Sequence, residues 1–159
     1  MPQWQIFNDI QAYEPTISAM GAHVKAMQAG MAGEAVWILS HQPVYTGGTS
    51  ATNADIIGQS DIPFVETGRG GQWTYHDPGM RIVYPMLDLN KRKADLRLYV
   101  HCLEAWVIDI LACFAIKGAR RDGLPGVWVK RDGTGDNAQY DKIAALGVRV
   151  SKWVSAHGF

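Results

Sequence analysis

The chain carries, between residues 67 and 79, the stretch Thr67-Gly68-Arg69-Gly70-Gly71-Gln72-Trp73-Thr74-Tyr75-His76-Asp77-Pro78-Gly79. Its glycines surround one arginine and one histidine, and a proline–glycine pair ends it. Glycine lets a backbone approach a ligand closely or adopt positive φ. Arginine brings a rigid fork of hydrogen-bond donors, and histidine titrates near neutrality. A hydrophobic core does not need this combination, so we interpret the stretch as a substrate-holding loop between two strands.

The overall composition is that of one globular domain spanning residues 1–159, with 47% hydrophobic residues. Lysine plus arginine equals aspartate plus glutamate at 15 each, which argues against a nucleic-acid-binding or membrane-surface protein. The segment Met1 to Ile10 lacks the features of a secretory signal. Cys102 and Cys113 fall on one predicted helix, too far apart for a disulfide. We therefore expect a reducing, cytoplasmic setting.

The order of the predicted elements indicates an α+β fold. Helices are predicted from apolar periodicity over residues 13–29 and 95–116, the second with a stop at Gly118. Strands are predicted over residues 34–40, 63–66, 81–87, 126–130 and 141–154, with loops at 41–50 and 131–140. Pro85 indicates an edge or a bulge in its strand. This order does not alternate regularly, so it does not favour a doubly wound sheet.

The last predicted strand places a lysine on its apolar side. Because side chains alternate across a strand, Lys142 shares the parity of the apolar residues Ala144, Leu146, Val148 and Val150. It is therefore expected to point toward the interior, where a partly desolvated lysine can act as acid or base. A lysine at a strand end can equally extend its ammonium group into solvent. The pattern alone leaves both alternatives open.

Other titratable residues are weaker candidates. His76 is either a functional group or a residue that stabilises its turn, while His41 and His157 precede turns and His101 lies on the polar side of the long helix. The two cysteines fit a packed helix, where cysteine behaves as a small hydrophobic residue. No metal-ligand spacing, dinucleotide fingerprint, P-loop or nucleophile elbow is present. These sites are therefore not expected.

Five blocks occur in order over nearly the whole chain. They are Trp37-Ile38-Leu39-Ser40-His41-Gln42-Pro43-Val44-Tyr45-Thr46 with Gly48-Thr49-Ser50, Arg69-Gly70-Gly71-Gln72-Trp73-Thr74-Tyr75-His76, Pro125-Gly126-Val127-Trp128-Val129, Lys142-Ile143-Ala144-Ala145-Leu146-Gly147-Val148-Arg149-Val150 and Trp153-Val154-Ser155-Ala156-His157-Gly158. Through these blocks the chain resembles the lipoyl(octanoyl) transferases, which move octanoyl from acyl carrier protein to a lysine of a lipoyl domain. Five ordered blocks are far more specific than any one of them.

The resemblance implies a fold, a site and a set of partners. The fold is a mixed β-sheet flanked by helices, as in the catalytic domain of biotin and lipoate ligases. Lys142 is the implied catalytic lysine, and no cofactor is implied. The implied substrate-binding residues are Arg69, Gly70, Gly71, Gln72, Trp73, Thr74, Tyr75, His76, Ala145, Leu146, Gly147, Gly158 and Phe159. Val44 and Tyr45 are further expected lining residues. The implied partners are octanoyl-acyl carrier protein, the lipoyl domains of 2-oxoacid dehydrogenase complexes and the glycine cleavage H protein.

The family's chemistry requires a cysteine. In these transferases a cysteine thiolate attacks the octanoyl thioester to form an acyl-enzyme, and the lysine takes the thiol proton or stabilises the thiolate by its charge. That cysteine lies in a Pro-Cys-Gly pattern beyond the His-Gly block, whereas this chain stops at Phe159. Neither Cys102 nor Cys113 matches the position. We therefore expect a C-terminally shortened chain that binds acyl groups without transferring them.

A second departure keeps other functions open. The family reads His-Gly-Pro-Gly-Gln where this chain has Asp77 and Met80 in the second and fifth positions. A His-Asp pair at this place resembles the lipoate–protein ligases, which activate the acid with ATP. Three interpretations follow: an octanoyltransferase, an ATP-dependent ligase-like enzyme, and a non-catalytic protein that binds acyl groups or lipoyl domains.

Overall fold

The computed structural model describes residues 1–133 and 138–159 and has the predicted α+β organisation. The helices are α1 (Tyr13–Gln28) and α2 (Leu96–Ala112), with short 3₁₀ turns at Asn53–Asp55 and Leu89–Lys91. The strands are β1 (Gln3–Ile6), β2 (Ala35–Leu39), β3 (Val44–Gly47), β4 (Phe64–Glu66), β5 (Trp73–His76), β6 (Ile82–Met86), β7 (Gly118–Arg121), β8 (Leu124–Asp132), β9 (Gln139–Ala144), β10 (Gly147–Ser151) and β11 (Val154–Gly158). Two compact units contain these elements, residues 1–94 with 147–159, and residues 95–146. That residues 1–159 act as one domain stays a prediction.

The first unit is built on β2, which pairs in parallel with β1 and antiparallel with β6. The predicted buried strand at 34–40 is confirmed, because four of the five residues of β2 are buried. The predicted first helix is also confirmed, and Gly30 follows its end with φ 73°. α1 packs its buried residues against this sheet. The resulting core contains Met20, Val24, Ala35, Trp37, Leu39, Ile82, Tyr84, Met86 and Val154.

Pro85 lies in β6, which is the last strand of its sheet, as the edge position predicted from the sequence. Proline has no N–H to donate to a neighbouring strand. β11 lies along this edge through hydrogen bonds at Val83 and Leu87. Between them, the Ser155 hydroxyl donates to the Pro85 carbonyl at 2.7 Å and accepts from the Leu87 N–H at 2.9 Å. A side chain thus provides the link that the proline cannot make.

The loop predicted over residues 41–50 is wrong in its centre, where the structure has β3. This strand pairs in parallel with β4 and antiparallel with β5, and the predicted strand at 63–66 is confirmed as β4. Pro43 lies just before β3, so it removes no hydrogen bond from the ladder. The second half of the substrate-holding loop is likewise a strand, β5. Residues 67–72 form the irregular connection between β4 and β5.

The single strand predicted over residues 141–154 is also wrong. β9 ends at Ala144, and β10 begins at Gly147 in a different sheet. β10 then turns back into β11 through Lys152 and Trp153, both of which have positive φ. Neither residue is the glycine, asparagine or aspartate that normally signals such a turn. The sequence therefore gives little local indication of the hairpin.

The second unit contains α2 and the sheet β7–β8–β9, in which β8 and β9 pair antiparallel on either side of the loop predicted at 131–140. Residues 134–137 of the predicted loop at 131–140 lie outside the described residues. The Asp95 carboxylate caps α2 by accepting from the Leu98 N–H at 3.0 Å. The helix ends at Ala112, so the predicted stop at Gly118 is wrong: that glycine lies in β7, and Ala115 adopts φ 57° before it. In the described part of the chain neither helix is long and apolar enough to cross a membrane.

The apolar stripe predicted for α2 is only partly buried. Leu103 and Val107 are buried as expected, but Leu96 is 46% exposed and Phe114 is 71% exposed. Glu104 is buried instead, because its carboxylate accepts from Arg120 Nε at 3.1 Å and from the Gly126 N–H at 3.0 Å. A charged residue of the helix therefore faces the sheet. Apolar periodicity does not predict this, because it assigns charged residues to the exposed side of a helix.

Candidate functional site

Arg69 is the buried centre of the loop at residues 67–72. Its side chain is only 7% exposed. Nη2 donates to the carbonyl oxygens of Thr46 and Gln72 at 2.6 and 3.1 Å and to the Thr46 hydroxyl at 2.8 Å, while Nη1 donates to the Gly70 carbonyl at 2.8 Å. No ion pair joins Arg69 to a carboxylate within the described residues. Burial lowers the pKa of the guanidinium, but arginine starts so high that it stays charged.

The start of β10 lies against this loop. A Cβ added to Gly147 would come 2.8 Å from Arg69 Cδ and 3.2 Å from the Gly70 carbonyl oxygen. The Gly70 N–H donates to the Val148 carbonyl at 3.0 Å. Gly147 also pairs with Gly158 across the hairpin of β10 and β11. Four residues expected to bind substrate, Arg69, Gly70, Gly147 and Gly158, are therefore brought together.

The pleat of β5 divides the remaining expected residues between two faces of the sheet β4–β3–β5. His76 pairs with Val44, and Thr74 pairs with Thr46, the residue that Arg69 contacts. Trp73 and Tyr75 point to the opposite face, because neighbouring side chains on a strand alternate. Tyr45 shares that face, and its ring centroid lies 4.9 Å from that of Tyr75. The register thus places His76 on the Arg69 side and the aromatic residues on the other side.

Buried and half-buried imidazoles and phenols adjoin the Arg69 side, and we call them the imidazole–phenol cluster. Its members are Tyr13, His41, His76, Tyr84 and His157. His41 is fully buried, with Nδ1 3.1 Å from the Gln11 carbonyl and Nε2 2.8 Å from the Tyr84 hydroxyl. Because a carbonyl can only accept, Nδ1 carries the proton and Nε2 accepts from the phenol. His41 and His157 were weaker candidates in the sequence, because only the folding of the chain brings them into the cluster.

Burial keeps the imidazoles of this cluster neutral. Burial, reinforced by the neighbouring imidazole of His41 and the cation of Arg69, lowers the pKa of His76 to about 4. Burial, reinforced by Arg69 and Arg149, lowers the pKa of His157 to about 4, and burial also lowers that of His41. The cation of Arg69 and the low local polarity thus both disfavour a second positive charge.

One polar atom of the cluster has no partner. In residues 1–133 and 138–159, the Nδ1 of His76 is the one buried side-chain nitrogen or oxygen without a hydrogen bond. A buried group of this kind normally pairs with protein or water. It can therefore receive a polar atom of a bound molecule. No group of three His, Cys, Asp or Glu residues in the same described ranges could hold a metal ion.

The interior position predicted for Lys142 is wrong. The parity argument needs an unbroken strand through Ala144 and Val150, and β9 ends before that. Lys142 is exposed, and its Nζ lies 4.8 Å from the ring centroid of Trp128. Its stem passes Gly126, where an added Cβ would lie 3.2 Å from Lys142 Cε. The lysine thus follows the second alternative, with its ammonium group outward.

Several expected site residues belong to different units. Arg69, His76, Gly147 and Gly158 lie in the first unit, whereas Lys142 with Ala145 and Leu146 lies in the second. That they share one site stays a prediction. Both cysteines are exposed, so the expectation that they pack as hydrophobic residues is wrong. The Cys113 thiol is placed to donate to the Asp109 carbonyl at 3.4 Å. His101 is exposed, as predicted.

Comparison with known proteins identifies the family. A family model described as the lipoyl protein ligase A/B catalytic domain matches residues 13–159. The octanoyltransferase of Paramagnetospirillum magneticum is 49% identical over an alignment that covers 98% of this chain and 72% of its own length. That of Caulobacter vibrioides is 48% identical, over 98% of this chain and 68% of its own length. The octanoyltransferase of Cereibacter sphaeroides (strain ATCC 17025 / ATH 2.4.3) is 49% identical, again over 98% of this chain and over 73% of its own length.

A solved structure confirms the fold expected from the resemblance. It belongs to an archaeal lipoylation system, a bi-partite lipoate protein ligase with its E2 lipoyl domain from Thermoplasma acidophilum. The TM-score is 0.60 at 13% identity, over 99% of this chain and 60% of that chain. This likeness shows the fold alone. The family model and the identity to the octanoyltransferases show that the chain belongs to the octanoyltransferase family, within the lipoyl protein ligase A/B catalytic domains.

Proposed function

We propose that the protein takes part in octanoyl transfer from octanoyl-acyl carrier protein to the lysine of a lipoyl domain. Family membership supports octanoyl transfer as the reaction, and the buried Arg69 side chain supports the loop at residues 67–72 as the place where the acyl group binds. The observation that carries the proposal is the contact of Arg69 and Gly70 with Gly147, because it joins two sequence blocks expected to hold the acyl group. The lipoyl domains of 2-oxoacid dehydrogenase complexes and the glycine cleavage H protein are the proposed acceptors, in the cytoplasm.

The Arg69 loop is suited to the polar head of an acyl thioester. Its guanidinium is a fixed positive charge that no carboxylate within the described residues neutralises. A charge held in a buried place stabilises developing negative charge more strongly than it would in water. The unpartnered Nδ1 of His76 can bind a further polar atom. The octanoyl tail has about six methylenes, whose burial contributes roughly 5 kcal/mol at about 0.8 kcal/mol each.

Lys142 is proposed to act as a fixed cation. The family's reaction forms a bond between a cysteine sulfur and the acyl carbon, while the carrier thiolate leaves and takes up a proton. The acceptor amine then attacks the acyl-enzyme, loses a proton and releases the cysteine thiolate. Lys142 was expected either to accept the thiol proton or to stabilise the thiolate. Its position over the Trp128 ring favours the second role, because an aromatic face attracts a cation.

The reacting thiol is proposed to be neither Cys102 nor Cys113. Both lie at exposed positions of α2 or its end, and neither forms a hydrogen bond with a histidine or lysine in the described residues. An activated cysteine needs such a base or a nearby positive charge. Residues 1–159 by themselves are therefore expected to bind the octanoyl group without transferring it.

The ATP-dependent alternative rests on Asp77, and the structure gives this residue another use. Asp77 Oδ1 accepts from the Gly79 N–H at 2.7 Å, and Oδ2 lies 3.4 Å from the Tyr75 hydroxyl. These contacts are those of an Asx turn that reverses the chain after β5. Asp77 is thus accounted for without ATP. The non-catalytic alternative predicts binding to a lipoyl domain in the absence of an acyl group.

The test is incubation of residues 1–159 with octanoyl-acyl carrier protein and a lipoyl domain, followed by mass spectrometry of the lipoyl domain and calorimetry of binding. We expect saturable binding of the octanoyl carrier, at least tenfold weaker for Arg69→Met, and an unmodified lipoyl domain. Octanoylation of the lipoyl domain would show that a cysteine of this chain reacts. Equal binding of octanoyl and unacylated carrier would remove the proposed acyl site.

A further inference from the structure

A second concave site lies on the other face of the sheet β4–β3–β5. It is a cleft of about 250 Å³. Its lining residues are Gly47, Gly48, Thr49, Ala51, Asn53, Glu66, Thr67 and Trp73. Register explains why a carboxylate and an indole meet there: Gly47 pairs with Glu66 on one side and with Trp73 on the other. Directly paired residues project from the same face, so the two side chains flank a glycine that has none.

The Trp73 ring lies flat over this glycine. A Cβ added to Gly47 would be 2.9, 3.0 and 3.1 Å from three carbons of the six-membered ring. Nearly equal distances to adjacent ring atoms mean that the glycine meets the ring's face and not its edge. Trp73 Nε1 donates to the Thr52 carbonyl at 2.9 Å, which fixes the ring's orientation. The opposite face of the indole is therefore turned away from the strand, held in place before any ligand arrives.

Glu66 supplies the negative charge. It is exposed, and no lysine, arginine or histidine within the described residues forms an ion pair with it. The guanidinium of Arg149 lies against the position of Gly68, two residues from Glu66, and among the described residues it forms no ion pair with the Glu66 carboxylate. The nearby Asp55 carboxylate accepts from the Thr52 N–H and so stabilises its own turn. Glu66 thus leaves an unneutralised carboxylate beside a fixed aromatic face.

We propose that this cleft binds the ammonium group of a lysine side chain presented by a partner protein. A carboxylate attracts the charge, and the outer face of the indole attracts it through cation–π contact. The carbonyl and hydroxyl groups of Thr49 and Thr67 at the rim can accept the remaining ammonium protons. A neutral side chain of the same length gains none of these contacts. That the partner is a lipoyl domain rests on the proposed function, whereas recognition of the ammonium group does not.

The test is a titration of the ¹⁵N-labelled chain with Nα-acetyl-lysine amide, observed at the indole N–H of Trp73. The uncharged probe of matched length is Nα-acetyl-norleucine amide. We expect saturable shifts of the Trp73 indole with the lysine probe only, and at least fivefold weaker affinity for Glu66→Gln. Asp61→Asn, which removes an exposed carboxylate outside the cleft, is the matched control and should bind as the unmodified chain does.

The outcomes separate this site from the acyl site, since no acyl group is present in the titration. Equal shifts with norleucine amide, or unchanged affinity in Glu66→Gln, would overturn the proposal. If Asp61→Asn weakened the affinity for the lysine probe as much as Glu66→Gln does, the binding would be general charge attraction and the proposal would fail. The absence of any Trp73 indole shift at the highest soluble concentration of the lysine probe would also reject the proposal. A Trp73→Phe variant keeps an aromatic face and should retain part of the affinity for the lysine probe. Retained affinity in this variant would show that the weaker binding of other variants does not come from unfolding.

Discussion

The two terminal nitrogens of Arg69 donate hydrogen bonds to three backbone carbonyls and one hydroxyl. The carbonyl groups come from positions 46, 70 and 72, so this one side chain ties a strand of the sheet to the loop beyond it. A hydrogen bond to a charged group contributes about 1.5–3 kcal/mol, and buried carbonyls left unpaired are costly. The loop that is expected to hold substrate is therefore also a principal support of the fold around it.

Replacing this arginine by lysine tests that support. A lysine ammonium cannot reproduce the planar fork that contacts three carbonyls at once. We expect Arg69→Lys to lower the free energy of unfolding by about 2–4 kcal/mol, measured by urea denaturation. Arg81→Lys, at an exposed position, is the matched control and should change stability by less than about 0.5 kcal/mol. Coincident urea transitions for Arg69→Lys and the unmodified chain would contradict the role given to the guanidinium.

The ammonium of Lys142 offers a second measurement on a single residue. Because Nζ lies 4.8 Å from the Trp128 ring centroid, its neighbouring methylene protons lie in the ring's shielding field. We expect upfield NMR shifts of the Lys142 ε protons, which disappear in Trp128→Leu and persist in part in Trp128→Phe. The ε protons of the exposed Lys117 serve as the reference and should not move. Unshifted Lys142 signals in the unmodified chain would remove the cation–π contact.

The sequence indicated which residues to examine, but it did not predict the burial or orientation of their side chains. Arg69 and His76 were singled out from their types and neighbours and Gly147 through the family resemblance, and all three lie within one unit. That they bind substrate stays a prediction. His41 and His157 were undervalued because their burial depends on partners that are distant in the sequence: His41 contacts Gln11 and Tyr84, and the His157 N–H lies against the sulfur of Met20. No local pattern carries that information. The orientation of Lys142 failed for a related reason, since a two-residue break in the strand ends the alternation on which it depended.

At the level of elements, glycines decide how closely loop and strand approach. A Cβ at Gly48 would lie 2.2 Å from the Gly71 carbonyl oxygen and 2.8 Å from that of Gly70. Both contacts are with backbone, which cannot rotate away as a side chain would. The segment after β3 therefore fits against the Arg69 loop only because residue 48 has no side chain.

Two glycine-to-alanine substitutions give opposite expectations. Gly48→Ala must displace the Arg69 loop, so we expect it to lower the free energy of unfolding by about 2 kcal/mol or more. Gly21→Ala lies inside α1, where an added Cβ meets nothing within 4 Å. Alanine is favoured over glycine there by about 0.5–1 kcal/mol, so stability should rise. Calorimetric melting of both variants checks the pair, and a stabilised Gly48→Ala would refute the close approach.

The elements that the sequence failed to predict have no local signal. β3 was missed because Pro43 and the pair Gly47-Gly48 are typical of a loop. A proline just before a strand, however, removes no hydrogen bond from the sheet. The hairpin between β10 and β11 turns through Lys152 and Trp153, residue types that seldom adopt positive φ. In contrast, α1, β2 and the core of β6 follow directly from apolar periodicity. Tertiary pairing, rather than propensity, determined the remainder.

At the level of the whole molecule, the neutral imidazoles make the folded state sensitive to acid. Two histidines of the cluster, His76 and His157, have a folded-state pKa of about 4, whereas an unfolded chain gives histidine about 6.5. Between these values the unfolded state binds more protons than the folded state. The free energy of unfolding therefore falls as the pH decreases from about 6.5 toward 4. Each histidine contributes up to about 1.4 kcal/mol per pH unit in this window.

Urea denaturation at pH 7 and at pH 5 measures this loss, because the carboxylates titrate mostly below that range. We expect the midpoint to decrease clearly at pH 5, and the decrease to be smaller in His76→Gln, which removes one of the three suppressed protonations. His101→Gln, an exposed position, should leave the decrease unchanged. Equal midpoints at the two pH values would mean that the imidazoles take up protons without unfolding. Such an outcome would mean that solvent enters the imidazole–phenol cluster. The positive charge of Arg69 would then be screened by water, and it could not stabilise negative charge on a bound acyl group as strongly as proposed.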